Sequence, residues 1–305
     1  MKLLDKYVYP SSFYKRIKST LERTYIGNKS TNLYRILTIL AAKLGRDDID
    51  QRANAVAFNL TLSIFPAIIF LFTLIPYIPI PHLDKQIMDF LSDVLPKGIY
   101  RDAAATIQDI ISRPRGNLLS LGFVLALYAA TNGMVALMTA FNRTYRTTEN
   151  RTFIKKRLVA VVLTFALAFV LFLSILLLIV GEIVLDWIVT ESLINEDFTY
   201  YLILILRYII VFLSFFGMVS FIYYLAPSIH KRWRFFSLGS IVASSLGIII
   251  TQLFSYYFSN FASYNKLYGS IGTIIAFMIW IYLISIIILL GFELNASVDE
   301  AKKTA

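Results

Sequence analysis

Long apolar stretches, separated by short polar segments, set the pattern of this chain. A helix that crosses the hydrocarbon core of a bilayer needs about 20 predominantly apolar residues. Six stretches reach or nearly reach that length, and none carries a run of charges. They cover residues 53–78, 117–141, 158–183, 200–226, 237–259 and 270–292. The pattern therefore predicts an all-α, polytopic integral membrane protein with six transmembrane helices.

Two further segments have helical periodicity but are too polar to span a membrane. In the stretch TNLYRILTILAAKLG the leucine and isoleucine side chains fall on one helical face, which predicts a cytoplasmic amphipathic helix. Residues 83–112 mix apolar and acidic positions and are divided by Pro96 and Gly98. That division predicts two short helices in a small external subdomain.

Composition supports the same class. Of the 305 residues, 58% are hydrophobic and only 16% are charged, whereas soluble domains are about one quarter charged. Cysteine is absent, which excludes disulfides, thiolate metal sites and a cysteine nucleophile. The net charge is +10, and Lys and Arg concentrate in alternate connections, 22 against 6. By the positive-inside rule both termini then lie in the cytoplasm, and the basic excess indicates topology and anionic lipid contact rather than nucleic-acid binding.

This topology divides the chain into three regions. Residues 1–52 are predicted to form a cytoplasmic, basic and amphipathic N-terminal region. Residues 53–293 form the six-helix transmembrane domain, with an external helical insert at about 79–116, and residues 294–305 a cytoplasmic tail. Membrane lipids are the expected partners. The sequence leaves an envelope protein partner and a homo-oligomer open.

Polar residues inside the apolar stretches are candidates for a substrate path, because an intramembrane polar group must find a partner or line a wet cavity. The first stretch holds Asn59 and Ser63 beside Pro66, which should kink the helix because it removes a backbone hydrogen bond. Further candidates for a substrate path or lipid contact are Asn132, Arg207, Gln252, Ser255 and Asn265. The alternative is that these side chains only form hydrogen bonds between helices.

The fifth stretch also contains a ridge of small residues. Gly239, Ala243 and Gly247 follow one another at intervals of four and so lie on one helical face. Small residues at this spacing let two membrane helices approach closely. We therefore predict a tight helix crossing along this ridge.

Arg207 is a charged residue inside the fourth stretch, YLILILRYIIVFLSFFG. At 1.5 Å per residue it lies about 10 Å from the outer end, so its side chain could extend to head groups or water. Glu182 and Asp186 close the preceding stretch near the same depth, which makes an ion pair the second interpretation. A lipid-phosphate site is the third, since guanidinium binds phosphate bidentately.

Glu293 stands where the sixth stretch meets the predicted cytoplasmic side. A carboxylate at that depth is costly unless it is paired, and Arg143 and Arg52 are basic candidates at the same level. We therefore predict a structural or gating role for Glu293. A solvated helix end is the alternative.

No catalytic site is predicted. His82 and His230 lie in opposite loops near prolines, and no HExxH, GxSxG, Walker or paired-carboxylate spacing occurs. We therefore expect no metal, no cofactor and no enzymatic activity.

Four blocks of sequence resemble the YihY/virulence factor BrkB family over about residues 35–297. The stretch RANAVAFNLTLSIFPAIIF is similar to the family's A-x-x-x-A-[FY]-x-x-x-x-S-[LI]-F-P opening, although Asn59 departs from the aromatic or small residue often found there. The other blocks are NGMVALMTAFNRTYRTTENR, YYLAPSIHKRWR and FASYNKLYGSIGTIIAFMIWIYLISIIILLGFELNA. The resemblance implies a bacterial inner-membrane protein with six helices. The family has carried the label ribonuclease BN and is also described as transporter-like and linked to envelope properties.

The expected function is translocation of a lipid or other amphiphilic envelope component through a kinked, polar-lined bundle. The alternative from another class is a non-transporting scaffold that binds an envelope partner through residues 83–112. A ribonuclease is a third, weaker alternative that rests on the family label. A cavity open sideways to lipid favours transport, whereas a solid bundle with an exposed apolar patch on 83–112 favours the scaffold.

Overall fold

The fold is almost entirely helical. A computed structural model describes residues 12–26, 31–46, 48–78, 82–94, 97–114, 116–144, 149–190, 196–228, 235–260 and 270–303, with some helical residues, among them Arg207 and 174–190, described by their backbone alone. Within these ranges the α-helices are α1 Ser12–Arg23, α2 Leu33–Leu44, α3 Ile49–Leu62, α4 Ile64–Leu74, α5 Leu83–Val94, α6 Lys97–Ser112, α7 Gly116–Thr144, α8 Phe153–Thr190, α9 Glu196–Leu225, α10 Leu238–Asn260 and α11 Ser270–Lys303. Two-residue strands, β1 Tyr25–Ile26 and β2 Thr31–Asn32, pair antiparallel before α2.

Several helices are long and apolar enough to cross a membrane. In the described residues these spans are Leu119–Thr144, Tyr208–Leu225, Leu238–Tyr257 and Ile275–Lys303. Large apolar side chains such as Val124 and Leu253 are more than half exposed on their outer faces, as a lipid-facing surface requires. The all-α membrane class is therefore confirmed. The remaining two predicted spans coincide with α3–α4 and with α8, and the count of six stays a prediction.

The first predicted span is interrupted at Ser63. Helix α3 ends at Leu62 and α4 begins at Ile64, while the Ser63 hydroxyl donates to the Leu60 carbonyl oxygen at 2.6 Å. Pro66 lies in the first turn of α4, where a residue without an N–H is tolerated. The break therefore falls beside the proline from which a kink is predicted.

Six helices close into a ring. Each packs against the next in the order α3, α7, α8, α9, α10 and α11, and α11 packs back against α3. Arg52 of α3 and Glu293 of α11 form an ion pair near one end of the ring. We call this end the ion-pair end of the ring, and the other the far end.

Smaller helices cover both ends. Amphipathic α2 packs at the ion-pair end, where Ile36 joins Leu294 and Ala301 of α11 in a buried cluster. Helix α11 thus continues to Lys303, through most of the segment expected to be a tail. At the far end, α5 and α6 bury Met88 and Ile111 against the residues that follow α4.

Candidate functional site: a cavity inside the helix ring and its closed end

An apolar cavity of about 490 Å³ lies in the middle of the ring. All six ring helices contribute to its wall, and its described lining carries no charged side chain. Its volume is within the range of about 300–1,000 Å³ that is typical of ligand pockets. The ring is therefore not a solid bundle.

Within the described residues, the cavity lining is buried at the ion-pair end and exposed toward the far end. Lining residues nearest the ion-pair end are buried: Val56 is 2% exposed, Ile222 3% and Ile288 9%. At the other extreme, Gln252 is exposed and Phe277 is 38% exposed. The exposed residues therefore form a rim through which the cavity communicates with the surroundings of the bundle.

The few polar groups of the wall are satisfied inside the protein. Thr251 donates to the Gly247 carbonyl oxygen at 2.8 Å and accepts from the indole N–H of Trp280 at 3.2 Å. Ser285 donates to the Ile281 carbonyl oxygen at 2.8 Å. Among the described lining residues, the other polar side chain is the amide of Gln252 at the rim, one of the predicted path residues.

Three aromatic rings pack together beyond the cavity lining at the ion-pair end. Phe141 and Phe292 stack with centroids 4.0 Å apart, and the Tyr223 ring meets both at 5.6–5.7 Å in edge-to-face geometry. The Tyr223 hydroxyl donates to the carbonyl oxygen of Ile288 at 2.6 Å, which fixes the ring against α11. We call these three rings the aromatic plug.

A buried ion pair lies directly behind the aromatic plug. The guanidinium of Arg52 donates to Glu293 Oε1 at 2.9 Å and to Thr144 Oγ1 at 2.8 Å, and Thr144 in turn donates to Glu293 at 2.8 Å. The side chains of Arg52 and Glu293 are 4% and 1% exposed. Glu293 is therefore paired with Arg52 and is not a solvated helix end, whereas Arg143 is exposed.

This ion pair is not completely satisfied. Arg52 Nε and Glu293 Oε2 are buried and have no hydrogen-bond partner among the described residues. Buried polar atoms without partners are costly and uncommon. The pair therefore joins α3, α7 and α11, but these helices do not satisfy all of its hydrogen-bonding atoms.

A second group of contacts ties α7, α8 and α9 together outside the ion pair. The Asn142 amide donates to Glu149 at 2.7 Å and accepts from the Ser228 backbone N–H at 2.8 Å. Arg151 donates to Glu149 at 2.7 Å and to the carbonyl oxygen of Ala226 at 2.8 Å. We call Asn142, Glu149 and Arg151 the latch.

Arg151 stabilises the negative charge of Glu149 within the latch. Partial burial alone raises the pKa of the Glu149 carboxyl, but hydrogen bonds from Arg151 and its positive charge outweigh burial. The net effect holds the pKa of Glu149 below its ordinary value, so the carboxylate is ionised at neutral pH.

Helices α10 and α11 cross at very short range at the ion-pair end of the ring. The Gly239 backbone N–H donates to Asn295 Oδ1 at 2.7 Å, and the Asn295 amide donates to Ser237 at 2.8 Å. A Cβ at Gly291 would lie 2.6 Å from the Gly239 carbonyl oxygen. Gly239 and Ala243 of the predicted ridge thus lie at a close crossing with α11, whereas a Cβ at Gly247 would meet the Phe215 side chain of α9.

Most polar residues proposed for a substrate path lie elsewhere than in the cavity wall. Asn59 donates to the Ala55 carbonyl oxygen of its own helix at 2.8 Å, so it neither lines the cavity nor bridges helices. Asn132 accepts from Arg157 at 2.8 Å and joins α7 to α8. Ser63, Pro66 and Ser255 are also absent from the described lining, so their place in a substrate path stays a prediction.

Other expected sites cannot be compared with the structure. Asn265 lies outside the described residues. Arg207 is in α9 and Glu182 and Asp186 are in α8, but the described part of these three residues is the backbone. Their ion pair, the outward-extended arginine and the lipid-phosphate site therefore stay predictions.

Sequence reasoning missed the aromatic plug and three polar residues that close the ion-pair end: Thr144, Glu149 and Asn295. Their signal was weak because threonine, glutamate and asparagine are common near helix ends and in connections. Only the helix packing reveals that each of them meets a partner on another helix or connection. Asn295 lies within the block FELNA that supports the family resemblance. The spacing of residues along the chain does not predict its hydrogen bond with Gly239.

The ring, its cavity and its buried polar closure define an all-α integral membrane protein. The chain belongs to the virulence factor BrkB family, which it matches over residues 40–305. It is 34% identical over 257 residues to the ribonuclease-like protein YfkH of Bacillus subtilis, covering 83% of this chain and 91% of that protein. A UPF0761 membrane protein of Psychromonas ingrahamii is 24% identical over 293 residues, covering 92% of this chain and 93% of the relative. No solved structure matches the chain.

Proposed function

We propose that this protein moves a lipid or another amphiphilic envelope component in a bacterial inner membrane. In this proposal the chain spans the membrane six times, the ion-pair end and both termini face the cytoplasm, and the far end faces outward. The charge distribution along the chain supports that orientation, because 22 of the Lys and Arg residues lie in the connections assigned to the cytoplasm.

The observation that carries the proposal is the cavity inside the ring. Its described lining is buried at the end nearest the aromatic plug and the ion pair, and exposed at the other. A transporter that alternates access needs a site that is sealed from one side while it is reached from the other. This arrangement matches one such state, closed toward the cytoplasm.

The scaffold alternative receives less support. It requires an apolar patch on residues 83–112 that is free to bind a partner. In the described part of this segment, Met88, Ile111 and Ile107 already pack against Ile75 and Phe72. The apolar face of this described part is therefore used within the chain itself.

The ribonuclease alternative rests on the name of one relative. Among the described residues, no group of three or more His, Cys, Asp or Glu side chains lies close enough together to hold a metal ion. No described contact supplies an argument in favour of this activity.

Lipid movement between leaflets of protein-containing liposomes tests the proposal. The measurement is the fraction of a head-group-labelled fluorescent lipid that becomes accessible to an impermeant reductant. Ile284→Phe adds volume to the cavity wall, whereas Ile279→Phe makes the same change on a 46% exposed face of the same helix. We expect the wild type and Ile279→Phe to accelerate movement several-fold and Ile284→Phe to reduce it. Movement no faster than in protein-free liposomes contradicts the proposal.

A further inference from the structure

We propose that the cavity binds the hydrocarbon tail of a membrane lipid, with the polar end of that lipid held at Gln252. The inference rests on the proposed function in taking the cavity as the substrate site, and it names the part of the substrate that enters. Lipid head groups remain at the rim, outside the cavity.

Length is the first argument. On α11 the wall runs from Phe277 to Ile288, and on α9 from Val211 to Ile222. Eleven helical steps of 1.5 Å give a cavity about 17 Å long. The hydrocarbon core of a bilayer is about 30 Å thick, so one leaflet's tail occupies about 15 Å. The cavity is therefore long enough for a tail that lies along the helix axes.

The chemistry of the wall is the second argument. Its described residues are aliphatic, aromatic or small, and the hydroxyls of Thr251 and Ser285 already bond within the protein. A charged group placed there would lose its hydration without gaining a partner. A hydrocarbon tail has no hydration to lose, because it enters from the apolar core of the bilayer.

The rim supplies the third argument. Gln252 is exposed at the open end, on a helix whose neighbouring outer residues Ile249 and Leu253 are apolar and face lipid. Its amide offers two donors and one acceptor at the point where a tail would leave the cavity. That position suits the ester, hydroxyl or carboxyl group next to a lipid tail.

Trp280 provides a direct probe because its indole lines the cavity. The chain has three tryptophans, so Trp187→Phe with Trp233→Phe leaves Trp280 as the only one. The purified full-length variant in detergent micelles is titrated with a fatty acid brominated at mid-chain, since bromine quenches indole fluorescence at contact. We expect saturable quenching of Trp280.

Matched variants in the same single-tryptophan chain separate the cavity from the outer surface. Ile284→Phe on α11 and Met218→Phe on α9 fill the cavity and should abolish the saturable component. Ile279→Phe should retain it, because that side chain faces outward. Gln252→Leu should weaken the apparent affinity about five-fold, as expected for the loss of one net hydrogen bond. Size-exclusion profiles establish that each variant is folded.

A second titration uses a phospholipid brominated on its tails. Saturable quenching by the fatty acid alone assigns the site to single-tail amphiphiles. Saturable quenching by the phospholipid assigns it to two-tail lipids. Either result supports the inference. Quenching that rises linearly with both probes, or equally in Ile284→Phe, Met218→Phe and Ile279→Phe, overturns it.

The two proposals fail separately. Saturable binding without accelerated lipid movement in liposomes removes the transport proposal and leaves the tail site in place. Accelerated movement with unsaturable quenching of Trp280 removes the tail site and leaves transport.

Discussion

Arg52 and Glu293 are the most consequential pair of residues in the described part of the molecule. Both side chains are almost fully buried, so each has lost nearly all of its hydration. Removing water from two charges offsets most of their attraction, and the pair as a whole adds little net stability. Removing only one partner is different, because the other charge is then left buried and uncompensated.

We therefore expect Arg52→Met to lower the free energy of unfolding by about 3–5 kcal/mol. Arg52→Met combined with Glu293→Leu should recover most of that loss, since no unpaired charge remains. Thermal unfolding of the purified variants in detergent is the measurement.

Lys43→Met is the matched control for this prediction. Lys43 forms an ion pair with Glu300 at the same 2.9 Å distance, but the Glu300 side chain is 51% exposed. Exposed pairs contribute about 0–1 kcal/mol, so this change should have little effect. Equal losses in Lys43→Met and Arg52→Met would show that burial does not control the energetics of the pair.

Glu149 makes the latch sensitive to acid. Its carboxyl has a pKa below the ordinary 4.5, so the latch contributes its full stability above that value and loses it as pH falls through the lower pKa of the folded state. We expect the difference in unfolding temperature between wild type and Glu149→Gln to shrink as pH drops below 4.5. Arg151→Gln should give the same pH profile; a difference that stays constant down to pH 3 contradicts the assignment.

At the scale of elements, the crossing of α10 and α11 depends on glycine. A Cβ at Gly291 would lie 2.5 Å from the Tyr223 hydroxyl and 2.6 Å from the Gly239 carbonyl oxygen. The second of these atoms is backbone, so a helix must move to accommodate the methyl group. The crossing therefore controls how tightly the closed end of the ring is packed.

Gly291→Ala should destabilise the protein by about 1–3 kcal/mol through overpacking. Gly217→Ala is the matched control, because no described atom lies within 4 Å of the added carbon. That change should be neutral or stabilising by up to about 1 kcal/mol, since alanine is the better helix former. The measurement is the unfolding temperature of each variant relative to wild type. A Gly291→Ala protein as stable as wild type would mean that the crossing is loose.

The helices themselves were largely predictable from sequence, for a physical reason. In a membrane the apolar length of a segment is fixed by the bilayer, so the stretches at 117–141 and 237–259 correspond closely to α7 and α10. The interruption at Ser63 was less accessible, because Pro66 marks a disturbance without fixing which residue breaks the helix. Continuation of α11 to Lys303 depends on packing with α2, which hydropathy does not register.

At the scale of the whole molecule, the candidate site was only partly predictable. Gln252 was recognised because a polar group stands out in an apolar span. The cavity was not, because a void arises where six helices fail to fill the space between them, and no single residue encodes it. The same limit explains why Asn59 looked like a path residue while its side chain simply returns to its own backbone.

Topology is a whole-molecule prediction that the absence of native cysteine makes easy to test. Gln86 and Asn150 are exposed, uncharged and on opposite sides of the proposed membrane. In intact cells we expect an impermeant maleimide to label Gln86→Cys and to label Asn150→Cys only after permeabilisation. The reverse pattern would invert the orientation, and labelling of both would contradict an odd number of crossings between them.

The ion pair also constrains the order in which the chain can be assembled. Arg52 and Glu293 are 241 residues apart, and the ribosome adds about 5–20 residues per second. The first helix of the ring therefore waits on the order of tens of seconds for the carboxylate that neutralises it. Throughout that interval the growing chain carries a cation that no later segment has yet matched. Only a product translated through α11 can close the ring, so this contact distinguishes such chains from those interrupted earlier.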